Sequence, residues 1–152
     1  MLQATKVVIA GVVAGTLAMA VQVLLWVATS ANALELLWRD SRLTAALVLG
    51  KSALSPDAAV DIPILLIAAV VHFSLSILFA ALLAPAAGRW KPVASFAVGA
   101  SFGVLLYVVN LHMLTALVPW FVAARGGVTL AAHVVFGITA MITLRMRLPA
   151  SN

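Results

Sequence analysis

The sequence contains very little charge. Only 9% of its 152 residues are Asp, Glu, Lys or Arg, while 65% are apolar and the mean hydropathy is +1.21. Soluble domains are about 45–50% apolar and about a quarter charged. A chain of 15.8 kDa has too small a core to hide the surplus apolar residues. The composition therefore excludes an ordinary soluble globule and a disordered tail, and it indicates a protein embedded in a lipid bilayer.

Cysteine is absent, which excludes disulfides, thiolate metal sites, iron–sulfur clusters and cysteine nucleophiles. The net charge of +5 would fit nucleic-acid binding only if the nine basic residues were clustered. They are scattered and have no aromatic–basic module beside them, so we expect no nucleic-acid partner. Cationic loops next to anionic lipid are the simpler interpretation.

Four long runs without charge predict four membrane spans, because about 20 apolar helical residues cross the hydrocarbon layer. Asp61 and Pro63 are typical of a helix start, and the first run is longer than the roughly 7–15 residues of a signal-peptide core. We predict one all-α integral membrane domain over residues 1–152, a four-transmembrane-helix bundle with spans at 6–29, 62–84, 93–118 and 127–147.

The first loop, residues 32–61, is long and amphipathic. Asp40 or Ser41 could cap a helix over residues 43–49 that Gly50 would end. Such a helix is too short to span a bilayer, so we predict an interfacial helix. It would serve either as a membrane-surface anchor or as a lid over a site.

Orientation follows from the loop charges. The N-terminus, second loop and C-terminus carry five Lys or Arg residues and no acid, whereas the first and third loops carry four Lys or Arg and all four acids. The positive-inside rule then predicts that both termini are cytoplasmic.

An internal repeat is visible on self-comparison. Gly11 and Gly15 in the first span correspond to Gly99 and Gly103 in the third, 88 residues later, and Gln22 then corresponds to Asn110. In the second and fourth spans, His72 corresponds to His133 at an offset of 61. The repeat predicts two similar helical hairpins related by a pseudo-two-fold axis along the membrane normal.

Polar side chains inside the spans lie at similar depths, in the outer halves of the helices. They are Gln22, Asn110, His72, His112 and His133. Placing a polar side chain inside the bilayer costs free energy, so such residues usually have a structural or functional role. Four interpretations stay open: interhelical hydrogen bonds, a bis-histidine haem b site at His72 and His133, a zinc or copper site that includes His112, and a substrate or proton path through all five residues.

An enzyme is not indicated, since every carboxylate lies in the first loop and no acid pair lies within the membrane. Ser76 lies four residues after His72, where a serine usually bonds its own helix backbone. We therefore expect no catalytic residue and no resident cofactor, with haem or a divalent metal as the alternatives.

The chain resembles a group of small bacterial four-helix integral membrane proteins of uncharacterised function. The likeness rests on residues 9–19, 42–50, 71–73, 99–103, 119–121 and 132–137. Some members carry a sodium:proline symporter label, although such a transporter would need many more helices and broken spans. The resemblance implies a bacterial inner-membrane protein, and we expect a homo-oligomer or a subunit of a membrane assembly, with a small-solute or proton channel or carrier as the alternative.

Overall fold

The structure, a computed structural model, describes residues 2–29, 32–55 and 61–147. These residues form five α-helices and no strand: α1 (Leu2–Thr29), α2 (Ala33–Leu49), α3 (Ile62–Leu83), α4 (Pro92–Val108) and α5 (Gly127–Arg147). Short helical turns of other types connect them: Gly50–Leu54, Ala84–Ala86, Val109–Met113, Leu114–Ala116 and Pro119–Ala124. The all-α prediction is confirmed.

Four segments of the described chain are long and apolar enough to cross a membrane: Gln3–Thr29, Ile62–Ala86, Pro92–Ala116 and Gly127–Met146. They coincide with the four predicted spans, although α1 already begins at Leu2. Asp61 lies at the N-cap position of α3 but makes no side-chain cap hydrogen bond, while Pro63 lies in the first turn as expected.

The helix predicted to lie at the interface is longer than expected. α2 runs without a break from Ala33, so Asp40 and Ser41 are interior residues and their prediction as N-caps is wrong. The Ser41 hydroxyl donates to the Leu37 carbonyl one turn earlier instead, at 2.8 Å. Gly50 does end the helix, with a positive φ of 69° that glycine adopts without strain. Residues 56–60 of the predicted loop lie outside the described residues.

α2 packs onto one end of the bundle, called the α2 end below: the end where α1 and α4 finish and α3 and α5 begin. Ala45 and Ala46 contact Ile64 and Ala68 of α3. Leu43 packs in a second cluster whose other buried members are Leu111 and Ala124. α2 also exposes large apolar side chains, at Leu34, Leu47, Val48 and Leu49. α2 therefore covers the bundle and also presents the apolar surface that an interfacial helix needs.

The predicted repeat appears in the packing within each hairpin. A Cβ on Gly11 would lie 2.6 Å from the Ile77 Cα, and a Cβ on the corresponding Gly99 would lie 2.9 Å from the Cα of Ile138. Ile138 is itself the counterpart of Ile77 in the repeat. Each hairpin is thus closed by the same glycine contact, which lets two helix backbones approach closely.

The repeat also appears in the core that the two hairpins share. Corresponding positions of α1 and α4 contribute to one cluster, as do corresponding positions of α3 and α5: Ala10 and Val98, Ala14 and Phe102, Ala18 and Leu106, Phe79 and Ala140, Ala80 and Met141, Leu83 and Leu144. Because the α1 positions are alanines, α1 packs closely on α5. In the described residues α3 and α4 have no comparably close contact, since Val98 and Phe102 are larger.

The α-helical part of α4 ends earlier than the predicted span. Residues Val109–Met113 form a π-helical turn, followed by the 3₁₀ turn Leu114–Ala116. A π turn takes about one more residue than an α turn, and such turns occur frequently at functional sites. This turn contains Asn110 and His112, two of the polar residues singled out above.

Candidate functional site

Gln22 and Asn110 continue the two stripes that line the shared core. On α1 the fully buried Ala10 and Ala14 and the nearly buried Ala18 are spaced four residues apart, and Gln22 is the next position. On α4 the corresponding stripe passes through Leu106 and reaches Asn110. Both amides are half-buried. The core therefore changes from apolar to polar at the α2 end.

His72 is held inside the α1–α3 contact. Its Nε2 lies 3.3 Å from the Gly15 carbonyl oxygen, and since a carbonyl only accepts, this nitrogen carries the hydrogen. The Ser76 hydroxyl donates to the His72 carbonyl at 2.8 Å, in the backbone-directed arrangement expected from the sequence. The Phe73 ring stands edge-on to the imidazole, with ring centroids 5.1 Å apart. His72 thus makes the interhelical hydrogen bond that one of the four interpretations predicted.

His133 bonds its own helix instead. Its Nδ1 donates to the Thr129 carbonyl at 2.8 Å. The Tyr107 ring of α4 lies edge-on to it, with centroids 5.8 Å apart.

His112 lies at the surface and shares the Tyr107 ring with His133. Its side chain is exposed, and its ring stands edge-on to Tyr107 with centroids 5.4 Å apart. Five residues separate His112 from Tyr107, so the π turn brings the two onto one face. Among the described residues no three His or acidic side chains are gathered in a way that could hold a metal ion. The three-histidine metal site is therefore not formed.

Asp40 is a site residue that the sequence placed elsewhere. Its Oδ2 accepts a hydrogen bond from the Gln22 amide at 3.1 Å, which ties α2 to the polar end of the core. Its Oδ1 pairs with the Arg39 guanidinium at 2.8 Å. Burial raises the pKa of Asp40 above its ordinary value, and the Arg39 charge and the two hydrogen bonds oppose this in part. An acid within an otherwise amphipathic helix was the only signal in the sequence.

Arg125 is the second residue that sequence reasoning missed. It precedes α5 and folds back onto the end of α4, where its Nε donates to the Leu111 carbonyl at 2.6 Å. Its Nη2 donates to the Thr115 hydroxyl at 2.9 Å. The neighbouring Gly126 amide donates to the Tyr107 hydroxyl at 3.2 Å. These bonds fix the π segment and with it the positions of Asn110 and Tyr107.

The described polar groups do not form a nucleophile–base pair. The Ser76 hydroxyl donates to the backbone, and Ser74 is exposed on another face of α3. What the arrangement offers is hydrogen bonding: the Gln22 amide meets Asp40 of α2, and the His72 imidazole lies about two helical turns further into the bundle, at Gly15. In comparisons with known proteins, no family model, curated sequence or solved structure matches the chain. Fold and site together define an all-α protein with four helices able to span a membrane.

Proposed function

We propose that this chain is a non-enzymatic membrane module that works as a homo-oligomer or as a subunit of a larger membrane assembly. The observation that carries the proposal is the use of its polar side chains. His72 bonds the Gly15 carbonyl, His133 bonds the Thr129 carbonyl, and Gln22 bonds Asp40. Each bond holds helices or side chains in place, and none activates a nucleophile.

The filled core supports an assembly. Apolar side chains occupy the middle of the bundle, and Ala140, Met141 and Leu144 are 0% exposed. A four-helix bundle that closes on such a core has little room for a pore. A continuous pore along the axis of a single bundle therefore has little space, which favours a role as a module within an assembly.

We place the protein in the bacterial inner membrane with both termini in the cytoplasm. Four spans return the chain to its starting side, and the slight excess of Lys and Arg in the terminal and second-loop segments favours the cytoplasmic side. The resemblance to small bacterial membrane proteins agrees with this location.

Stoichiometry in a lipid environment tests the proposal. The full chain is extracted from the membrane into nanodiscs and its mass is measured by native mass spectrometry. We expect particles that contain several copies or a second membrane protein. A single copy per particle, together with the absence of a crosslinked partner in the intact membrane, would overturn the proposal.

The same sample gives an optical spectrum and a metal analysis, where a Soret band or stoichiometric metal would contradict the expected lack of a cofactor.

The second candidate is a channel or carrier for a small solute or protons. It is favoured by the polar side chains within the predicted spans, Gln22, Asn110, His72 and His133, of which Gln22 reaches Asp40 of α2. In proteoliposomes this function predicts a flux that His72→Ala abolishes. The exposed His112 supplies the matched control, since His112→Ala should leave the flux unchanged. Under the structural proposal, His72→Ala lowers only the stability, by about 1 kcal/mol for one interhelical hydrogen bond.

A further inference from the structure

The end of the bundle opposite α2 carries positive charge. At this end α1 and α4 begin and α3 and α5 finish, and its charged side chains in the described part of the chain are Lys6, Arg89, Lys91 and Arg145. The acidic residues of the sequence lie between positions 35 and 61, before α3 begins. The 22 residues of α3 separate the start of that helix from its other end by about 33 Å. Among the described residues, therefore, no acidic side chain compensates the positive charge.

Hydrogen bonds bring three of these basic residues together. The Arg145 Nη1 donates to the Trp90 carbonyl and, at 2.9 Å, to the Ser95 hydroxyl. Ser95 is buried, and its hydroxyl donates to the Lys91 carbonyl at 3.1 Å. Arg89 and Lys91 flank Trp90, so their Cα atoms are at most about 7 Å apart. The end of α5 is thus bonded to the turn before α4, and Arg89, Lys91 and Arg145 form one patch, called the basic patch below.

The basic patch has hydrogen-bond donors to spare. Arg145 uses only Nη1 in these bonds, so its Nε and Nη2 keep their hydrogens for another acceptor. The side chains of Arg89 and Lys91 are exposed and make no hydrogen bond or ion pair with the residues that the structure describes. Guanidinium and ammonium groups bond most strongly to the oxygens of phosphates and carboxylates. A ligand of this patch therefore brings anionic oxygen.

Exposed apolar side chains next to the basic patch indicate where that oxygen comes from. Trp90, between two of the basic residues, is 49% exposed, and tryptophan is enriched where a membrane meets water. Val93 and Phe96, in the first turns of α4, are 84% and 52% exposed. α4 begins a segment that is able to span a membrane. The patch therefore lies where the apolar surface of a span ends, which is the level of the lipid headgroups. A partner dissolved in water would leave Val93 and Phe96 uncovered.

We propose that the basic patch is a binding site for the phosphate group of an anionic phospholipid, whose acyl chains lie along the exposed start of α4. Arg89, Lys91 and Arg145 hold the phosphate oxygens. A zwitterionic lipid binds more weakly, because its headgroup adds a cation that the uncompensated positive charge repels. The inference rests on the membrane location proposed above, but it holds for a monomer as well as for an oligomer. The measurement of stoichiometry therefore does not decide it.

Lipid retention by the purified full chain tests the site. The protein in detergent is mixed with phosphatidylglycerol or with phosphatidylcholine of the same acyl chains, and bound lipid is counted by native mass spectrometry. We expect the chain to bind phosphatidylglycerol at least about tenfold more strongly, since each basic residue near a lipid surface contributes roughly fivefold. A further sample contains inorganic phosphate, with chloride at equal ionic strength as its control. Phosphate should not displace the lipid. Displacement would identify a site for free phosphate and overturn the proposal.

Exposed lysines at the two ends of the bundle supply a matched pair of variants. Lys91→Gln removes one charge from the basic patch and should reduce the preference for phosphatidylglycerol roughly fivefold. Lys51→Gln removes the same charge at the α2 end and should bind lipid like the wild type. Lys91→Arg keeps the charge and should keep the preference. The Lys91 side chain bonds no described residue, so these variants should melt like the wild type. Equal retention of the two lipids, an equal loss in Lys51→Gln, or an unchanged Lys91→Gln would each overturn the proposal.

Discussion

Ser76 and Gly137 are corresponding residues that give the two hairpins different histidine positions. A Cβ on Gly137 would lie within 3 Å of the Gly103 nitrogen, so α4 and α5 approach as closely as two backbones can. In the other hairpin the Ser76 side chain occupies this space, with its Oγ 2.6 Å from a Cβ built on Gly15. The wider contact admits the His72 ring, which reaches the Gly15 carbonyl. The tighter contact leaves no room, and His133 turns to its own helix.

Asp40 gives a prediction about pH. Burial raises its pKa above the ordinary value of 3.8, so the folded protein binds this proton more tightly than the unfolded chain. The contribution of Asp40 to stability is therefore greatest below pH 3.8 and is lost as the pH rises through the raised pKa. We therefore expect the melting temperature of the wild type to fall as the pH rises through this pKa. Asp40→Asn should show a smaller fall, and its amide keeps an oxygen acceptor for Gln22.

The melting temperature of detergent-purified wild type, Asp40→Asn and Asp61→Asn is measured across the acidic to neutral range. Asp61→Asn removes an acidic charge from the start of α3 and serves as the matched control. If Asp40→Asn loses stability with rising pH as steeply as the wild type, then Asp40 is not the responsible group.

At the scale of the elements, the π turn of α4 has an identifiable support. Helix ends leave backbone carbonyls without partners. The Arg125 guanidinium bonds one of them, on Leu111, and also bonds the Thr115 hydroxyl. The support comes from the residues before α5, so the connection between the two helices also determines the shape of α4.

We predict that Arg125→Met loosens the segment Val109–Met113 and the turn after it. Hydrogen bonds from a charged donor contribute about 1.5–3 kcal/mol, so amide hydrogen exchange in this segment should become roughly tenfold faster or more. Exchange is followed by mass spectrometry on the protein in detergent. Arg89→Met alters an exposed arginine at the opposite end and should leave these rates unchanged. Equal exchange in both variants would show that Arg125 does not hold the turn.

For the molecule as a whole, the two hairpins use corresponding positions in the shared core, but the side chains at these positions differ in size. Ala14 on α1 is 0% exposed, whereas its counterpart on α4 is Phe102. The small residue lets α1 pack directly on α5. Among the described helices this is the most extensive contact between the two hairpins, and it depends on side-chain volume rather than on polarity.

Ala14→Leu therefore tests the joint between the hairpins. Overpacking a filled core costs about 1–3 kcal/mol, and we expect the free energy of unfolding in mixed detergent micelles to fall by that amount. Ala20→Leu adds the same atoms to an exposed position of the same helix and should have little effect. Comparable unfolding of the two variants would mean that α1 and α5 are not closely packed at Ala14.

The spans were predictable because hydropathy and length are properties of the sequence alone, and Pro63 marked the start of α3 correctly. The repeat was predictable because the glycine pair Gly11 and Gly15 recurs 88 residues later as Gly99 and Gly103. The continuous α2, the π turn and the role of Arg125 were not predictable. The last two involve contacts between residues far apart in the chain, such as Arg125 with Leu111 at a separation of 14 residues.

The sequence by itself predicted a helical protein with four helices able to span a membrane, a repeated hairpin and a few polar side chains within those helices. Apolar composition, span length and glycine spacing are local features of the sequence. Apolar segments of this length form helices in a bilayer because their backbone groups must hydrogen-bond internally. Only the tertiary structure decided how the polar residues are used. It left the His112 side chain exposed, turned His72 to the Gly15 carbonyl and His133 to the Thr129 carbonyl, and linked Asp40 to Gln22. The distance between helix backbones and the hydrogen-bond partners on neighbouring helices determine how these side chains are used. Both arise only when segments far apart in the sequence pack together.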